Sequence, residues 1–102
     1  MRTVCKEALM ARLLMFHGAE CPHCRKMMAL VERLEKETDY RIERLEVWHS
    51  ETNANLMRSY KPMIAPKCGG QLRVPTFINP DSADVFCGEV EYEELKAWAA
   101  KQ

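Results

Sequence analysis

Apolar and polar positions alternate along this chain with two different periods, and the changes between them mark the elements. Arg12 to His17 (RLLMFH) is a short apolar run that reads as a buried strand. Gly18-Ala19-Glu20 breaks it. From Cys21 to about Thr38 the pattern is helical: Met27, Leu30, Val31 and Leu34 form one apolar stripe. Glu32–Lys36 and Arg33–Glu37 stand as opposite charges four apart on the wetter side. Tyr40 to Trp48 (YRIERLEVW) reads as a second strand. Ser50 caps a predicted helix from Glu51 to about Tyr60. Pro62, Pro66 and Gly69-Gly70 then predict a long irregular connection. Val74 to Asn79 (VPTFIN) and Ala83 to Cys87 (ADVFC) read as strands joined by the turn Asn79-Pro80-Asp81-Ser82. Val90, Leu95, Trp98 and Ala99 mark a closing amphipathic helix.

The predicted order is β-α-β-α-β-β-α, an α/β arrangement. The first β-α-β unit makes a right-handed parallel crossover. The hairpin adds antiparallel strands, giving a four-stranded mixed sheet with helices on both faces. The 102 residues suit one domain, 1–102, and no repeat or linker divides them. Fifteen Lys+Arg balance fifteen Asp+Glu, so no overall field draws nucleic acid or an anionic membrane. No apolar run approaches the ~20 residues that span a bilayer. Lys6, Glu7 and Arg12 interrupt the N-terminal apolar stretch, which makes a poor signal peptide. The expectation is a cytoplasmic monomer that binds neither nucleic acid nor membrane.

Five cysteines, at positions 5, 21, 24, 68 and 87, cannot pair completely within one chain. In a reducing compartment a structural disulfide framework is not expected. The Cys21-Pro22-His23-Cys24 pair carries the most chemistry, because it follows a buried strand and opens a helix. The first turn of a helix presents unpaired N–H groups and about half a positive charge, which stabilise a thiolate. Cys21, at the helix mouth, is the expected exposed nucleophile. Cys24, one turn in, is the buried resolving thiol. Pro22 fits the first turn, where its missing N–H has no helical partner. His23 adds a second influence on the thiolate, and thiols in such settings ionise at ~3.5–7.5 instead of ~8.5. Zinc is the competing reading, with Cys21, Cys24, Cys68 and either Cys87 or His23 as ligands. A non-enzymatic redox-sensing module or adaptor is another.

The stretches LLMFHGAECPHC, VPTFIN and VFCGEVEYEELKAW, in this element order, resemble the thioredoxin-like superfamily in its short, glutaredoxin-sized form. The resemblance covers nearly the whole chain from Ala11 onward. It implies a three-layer sandwich and a thiol–disulfide oxidoreductase with no bound cofactor beyond the redox-active Cys21/Cys24 disulfide. It implies a cis Pro75 packed beside the cysteine pair and a Val74-Pro75-Thr76 segment that receives the substrate as an added strand. Disulfide-containing proteins are the implied substrates, and glutathione or an electron-donor reductase the implied reductant. The Cys-Pro-His-Cys tetrapeptide is similar to that of the bacterial periplasmic disulfide oxidases, whose large helical insertion has no room here. Three positions depart from the pattern: Glu20 replaces an aromatic residue, Met15 replaces a buried acid, and Cys87-Gly88 replaces the Gly-Gly that binds glutathione.

The remaining residues have milder expectations. Cys68 is a loop thiol near the pair and a candidate accessory redox site. Cys87 is expected as buried packing and Cys5 as incidental. Arg73, just before Val74, is expected as a solvated strand end, with contact to substrates as the alternative. His17 is a structural histidine or a neighbour of Cys21. Trp48, Trp98 and the methionines are expected in the core.

Overall fold

The computed structural model describes residues 12–102. Cys5 lies outside the described residues. The elements are β1 (Leu13–His17), α1 (Pro22–Glu37), β2 (Ile42–Glu46), α2 (Glu51–Ser59), α3 (Lys61–Ile64), a 3-10 turn (Ala65–Lys67), β3 (Thr76–Asn79), β4 (Asp84–Cys87) and α4 (Tyr92–Ala100). The strands form one sheet in the order β2-β1-β3-β4. β1 runs parallel to β2 and antiparallel to β3, and β3 and β4 form the expected antiparallel pair.

This order explains why β1 and β3 read as unbroken apolar runs. Both are interior strands, and successive side chains point to opposite faces that are both covered. Leu13 and Met15 of β1 and Phe77 of β3 join Met27, Val31, Leu34, Leu95 and Trp98 on the face covered by α1 and α4. Leu14, Phe16 and Ile78 join Met57 and Ile64 on the opposite face. The helical stripe of α1 is present as predicted, with Met27, Val31 and Leu34 fully buried and Leu30 at its edge. Arg33 pairs with Glu37 at 3.0 Å. It also lies 3.7 Å over the ring of Tyr92, whose hydroxyl donates to Glu37 at 2.8 Å, so α1 and α4 are tied at their exposed rim.

Two expectations are corrected here. The connection after α2 is not irregular throughout: α3 and the 3-10 turn occupy it. Pro62 and Pro66 each sit in the first turn of one of these segments, where a missing N–H costs no helical hydrogen bond. Trp48 is not a core residue. It is 52% exposed, while Trp98 is buried as expected. β2 ends at Glu46, so Trp48 falls in the loop beyond the sheet. Among the described residues, no helix is long and apolar enough to cross a membrane.

Candidate functional site

Cys21 is the N-cap of α1. Its backbone is extended, Pro22 begins the helix, and the Cys21 Sγ accepts from the Cys24 N–H at 3.2 Å. The sulfur thus occupies the place that a serine or aspartate oxygen takes in ordinary helix caps, satisfying one of the unpaired N–H groups. The same interaction corrects an expectation. Turned back over its own first turn, Cys21 is only 5% exposed, not an open thiol. Cys24 is more buried still, at 1%. Burial pushes the Cys24 thiol up to about 12, reinforced by its hydrogen bond with Cys21. Cys24 is therefore a neutral thiol at physiological pH. The fully buried Met15 shares the core cluster of the two cysteines, where a buried acid would have offered a proton acceptor.

Two further parts converge on this helix start. The Val74–Pro75 peptide bond is cis. Thr76, fully buried, donates its hydroxyl to the Arg73 carbonyl, and the Pro75 carbonyl accepts from the Gly88 N–H at 2.8 Å. A cavity of about 290 Å³ is lined by His23, Arg73, Val74, Pro75, Cys87, Gly88 and Glu89. It brings the middle of the Cys-Pro-His-Cys motif and the cis-proline segment onto shared walls, although fifty residues separate them in sequence. His23 hydrogen-bonds through Nδ1 to Glu89, which Lys26 also approaches at 3.5 Å. The hydrogen bond to His23 holds the Glu89 carboxyl below its ordinary range.

No family model and no curated protein sequence matches the chain. Among solved structures, it is similar to desulfothioredoxin from Desulfovibrio vulgaris Hildenborough in its reduced form, with 27% identity and a TM-score of 0.65, covering 94% of this chain and 85% of that one. It is also similar in fold to the glutaredoxin grx-1 from Archaeoglobus fulgidus, with 21% identity and a TM-score of 0.58, covering 88% of this chain and 87% of that one. The fold is that of the thioredoxin-like superfamily. The expected sheet, element order and cis-proline are all present in this thioredoxin-like chain.

Sequence reasoning missed a second wall of the thioredoxin-like site. Trp48 lies flat over Gly18, so closely that a Cβ at position 18 would stand 2.3–2.6 Å from the indole ring. Gly18 in turn accepts from the Cys21 N–H at 3.1 Å. The missing side chain at position 18 is thus what allows the indole to lie against the turn that feeds Cys21. Gly18→Ala is expected to swing Trp48 off the turn and to cost ~1–3 kcal/mol. The check is a red-shifted, more quenchable Trp48 emission together with a lower unfolding midpoint, read in a Trp98→Phe background. Unchanged emission would contradict the stacking.

Glu46 organises this wall. Its carboxylate accepts from the backbone N–H groups of Ala19 at 2.9 Å, Trp48 at 3.1 Å and His49 at 2.8 Å, joining the turn before Cys21 to the loop after β2. Burial would raise the Glu46 carboxyl, but these three donors outweigh it and hold the group below its ordinary range. Nothing in the sequence marks Glu46 apart from Glu43, the other acid of β2. Glu20 is exposed and turned toward His49, both of its oxygens 2.8 Å from the ring nitrogen Nε2, so it is engaged there and not with Cys24. This hydrogen bond raises His49 above the ordinary imidazole range. Any stability the pair contributes is therefore fully present below the unfolded value of His49 and is lost as pH rises through its raised folded value. NMR titration of the ring is expected to show that raised midpoint and its return toward the ordinary range in Glu20→Gln. His17 is half-buried at the end of β1, and burial lowers its ring below the ordinary range.

Cys68 and Cys87 are paired in a disulfide. This corrects the expectations of a lone loop thiol, of simple packing at Cys87 and of a chain without a structural bridge. The two Cα atoms are 6.0 Å apart, because the 3-10 turn packs against the end of β4. With a sequence separation of 19, such a link adds roughly 3 kcal/mol in the chain-entropy treatment. The pairing takes up Cys68 and Cys87, two sulfurs of the zinc reading, and among the described residues no group of three or more His, Cys, Asp or Glu side chains is placed to hold a metal ion.

Proposed function

We propose that this chain is a thiol–disulfide oxidoreductase that uses Cys21 and Cys24 to reduce or exchange disulfides in protein or small-thiol substrates. One observation carries the reading: Cys21 caps α1 through its sulfur, with the Cys24 N–H donating a hydrogen bond to it and the cis Val74–Pro75 segment lining the adjoining cavity. The Cys24 N–H and the helix N-terminus both favour negative charge on the Cys21 sulfur. That thiolate attacks one sulfur of a substrate disulfide. The other substrate sulfur leaves as a thiolate and takes a proton, and a mixed disulfide remains on Cys21. Cys24 then gives up its proton and attacks the Cys21 sulfur. The second substrate sulfur leaves and is protonated, so the substrate ends as a dithiol and the enzyme as the Cys21–Cys24 disulfide. Glutathione or a protein reductase returns the pair to the dithiol in the cytoplasm.

Each neighbouring residue has a place in this cycle. Pro22 fixes the helix start, and His23 sits over the cavity mouth with Glu89. Val74 and Pro75 receive the substrate backbone, since Val74 lines both this cavity and a second one bounded by Trp48, Met57, Arg58 and Leu72, while Thr76, fully buried between Phe16 and Cys87, anchors the segment from behind. Arg73 lines both cavities as well and supplies a cation beside the incoming chain. The test is turnover of an insulin-type disulfide substrate with a dithiol as reductant. Many substrate disulfides reduced per protein molecule support the reading; a rate no faster than the dithiol alone refutes it.

A further inference from the structure

The disulfide between Cys68 and Cys87 is not used by the cycle above, and its two sulfurs have unequal surroundings. Cys68 is 2% exposed and packed in the core with Leu14, Ile64, Ile78 and Val85. Cys87 is half-buried and forms part of the wall of the cavity that holds His23 and Pro75. Thiol–disulfide exchange depends on which sulfur a thiolate can reach, and accessible bridges are the labile ones. The Lys67 carbonyl lies 3.7 Å from the Cys87 sulfur, an acceptor ready for the thiol that reduction would create.

We propose that Cys68–Cys87 is a second, reversible thiol–disulfide site, opened by a small thiol that attacks Cys87 from this cavity. The incoming thiolate bonds to the Cys87 sulfur, the bond to Cys68 breaks, and Cys68 leaves as a thiolate that takes a proton. A second molecule of the small thiol then attacks the sulfur of the first, releasing the oxidised small thiol and leaving Cys87 as a thiol. Two small thiols are oxidised for each bridge reduced. The site is joined to the substrate segment: Cys87 pairs with Thr76 across the β3–β4 ladder, and Gly88 bonds to the Pro75 carbonyl. An adduct on Cys87 stands in the cavity that Val74 and Pro75 line.

The proposal does not depend on chemistry at Cys21, and its test removes that chemistry. The full-length Cys5→Ser/Cys21→Ser/Cys24→Ser variant is oxidised, exposed to reduced glutathione in native buffer, quenched with acid, alkylated and mapped after trypsin. The cut sites place Cys68 in peptide 68–73 and Cys87 in peptide 74–96, apart from Cys21 and Cys24 in 13–25. The wild-type chain can therefore be mapped in the same way should the variant not fold. The expected result is a transient glutathione adduct on 74–96 with alkylation on 68–73, followed by two free thiols, and closure again with oxidised glutathione. A bridge that opens only in denaturant overturns the proposal. So does an adduct on 68–73, or two free thiols in the oxidised protein.

Discussion

Cys21→Ser is expected to lower disulfide-reductase turnover by at least ~10³-fold, to the rate of the reductant alone, while leaving the fold intact. Serine is a favoured N-cap residue, so its hydroxyl accepts from the Cys24 N–H as the sulfur does. Its oxygen, however, stays protonated at neutral pH and cannot accept a substrate sulfur in a reversible bond. The change thus separates the structural part of position 21 from its chemistry: an unchanged unfolding midpoint with no turnover. Cys24→Ser is expected to fail differently. Attack by Cys21 survives, but nothing resolves the product, and one equivalent of substrate accumulates as a mixed disulfide. Gel mobility without reductant and intact mass distinguish the two outcomes. Substantial turnover in Cys21→Ser would place the nucleophile elsewhere.

Phe77→Ala is expected to cost ~3–5 kcal/mol, a large part of the roughly 5–15 kcal/mol that holds a domain of this size together. Phe77 is fully buried in interior strand β3, opposite Met15 on one side and Phe86 on the other. Its ring stacks on Phe86 at 4.6 Å and meets Trp98 edge-on at 6.2 Å. Truncation leaves a cavity among β1, β4 and α4. The functional consequence follows from position, since β3 begins at Thr76, directly after the cis-proline. Thermal unfolding should show a midpoint lowered by more than ~10 °C, and urea titration the matching loss. A loss below ~1 kcal/mol would contradict this packing.

How far the sequence led can be seen at particular residues. β1 and α1 were legible because burial on both faces and burial on one stripe leave different periods, and the run LLMF against the stripe Met27-Val31-Leu34 shows both. Cys21 at the helix mouth was legible from the break at Gly18 and from Pro22. Its burial was not, because that depends on which way the sulfur turns. Trp48 was misplaced because an indole in a strand-like run normally packs inward. The bare surface of Gly18, thirty residues earlier, receives it instead. The pairing of Cys68 with Cys87 could not be read at all, since connectivity follows from how the 3-10 turn meets β4, and spacing carries no record of it. The partners of charged side chains were equally hidden: His23 with Glu89 and Glu20 with His49 are contacts between distant segments.

The proposed function rests on Cys21 being the attacking sulfur and closing reversibly on Cys24. The most direct measurement is brief alkylation of the reduced protein at neutral pH, repeated after mild oxidation and mapped on peptide 13–25. The account predicts that Cys21 is labelled faster than free cysteine while Cys24, held up near 12, is not labelled. After oxidation neither residue is labelled, and the peptide is lighter by two hydrogens. Labelling of Cys21 no faster than free cysteine, with both thiols still open after oxidation, would contradict it.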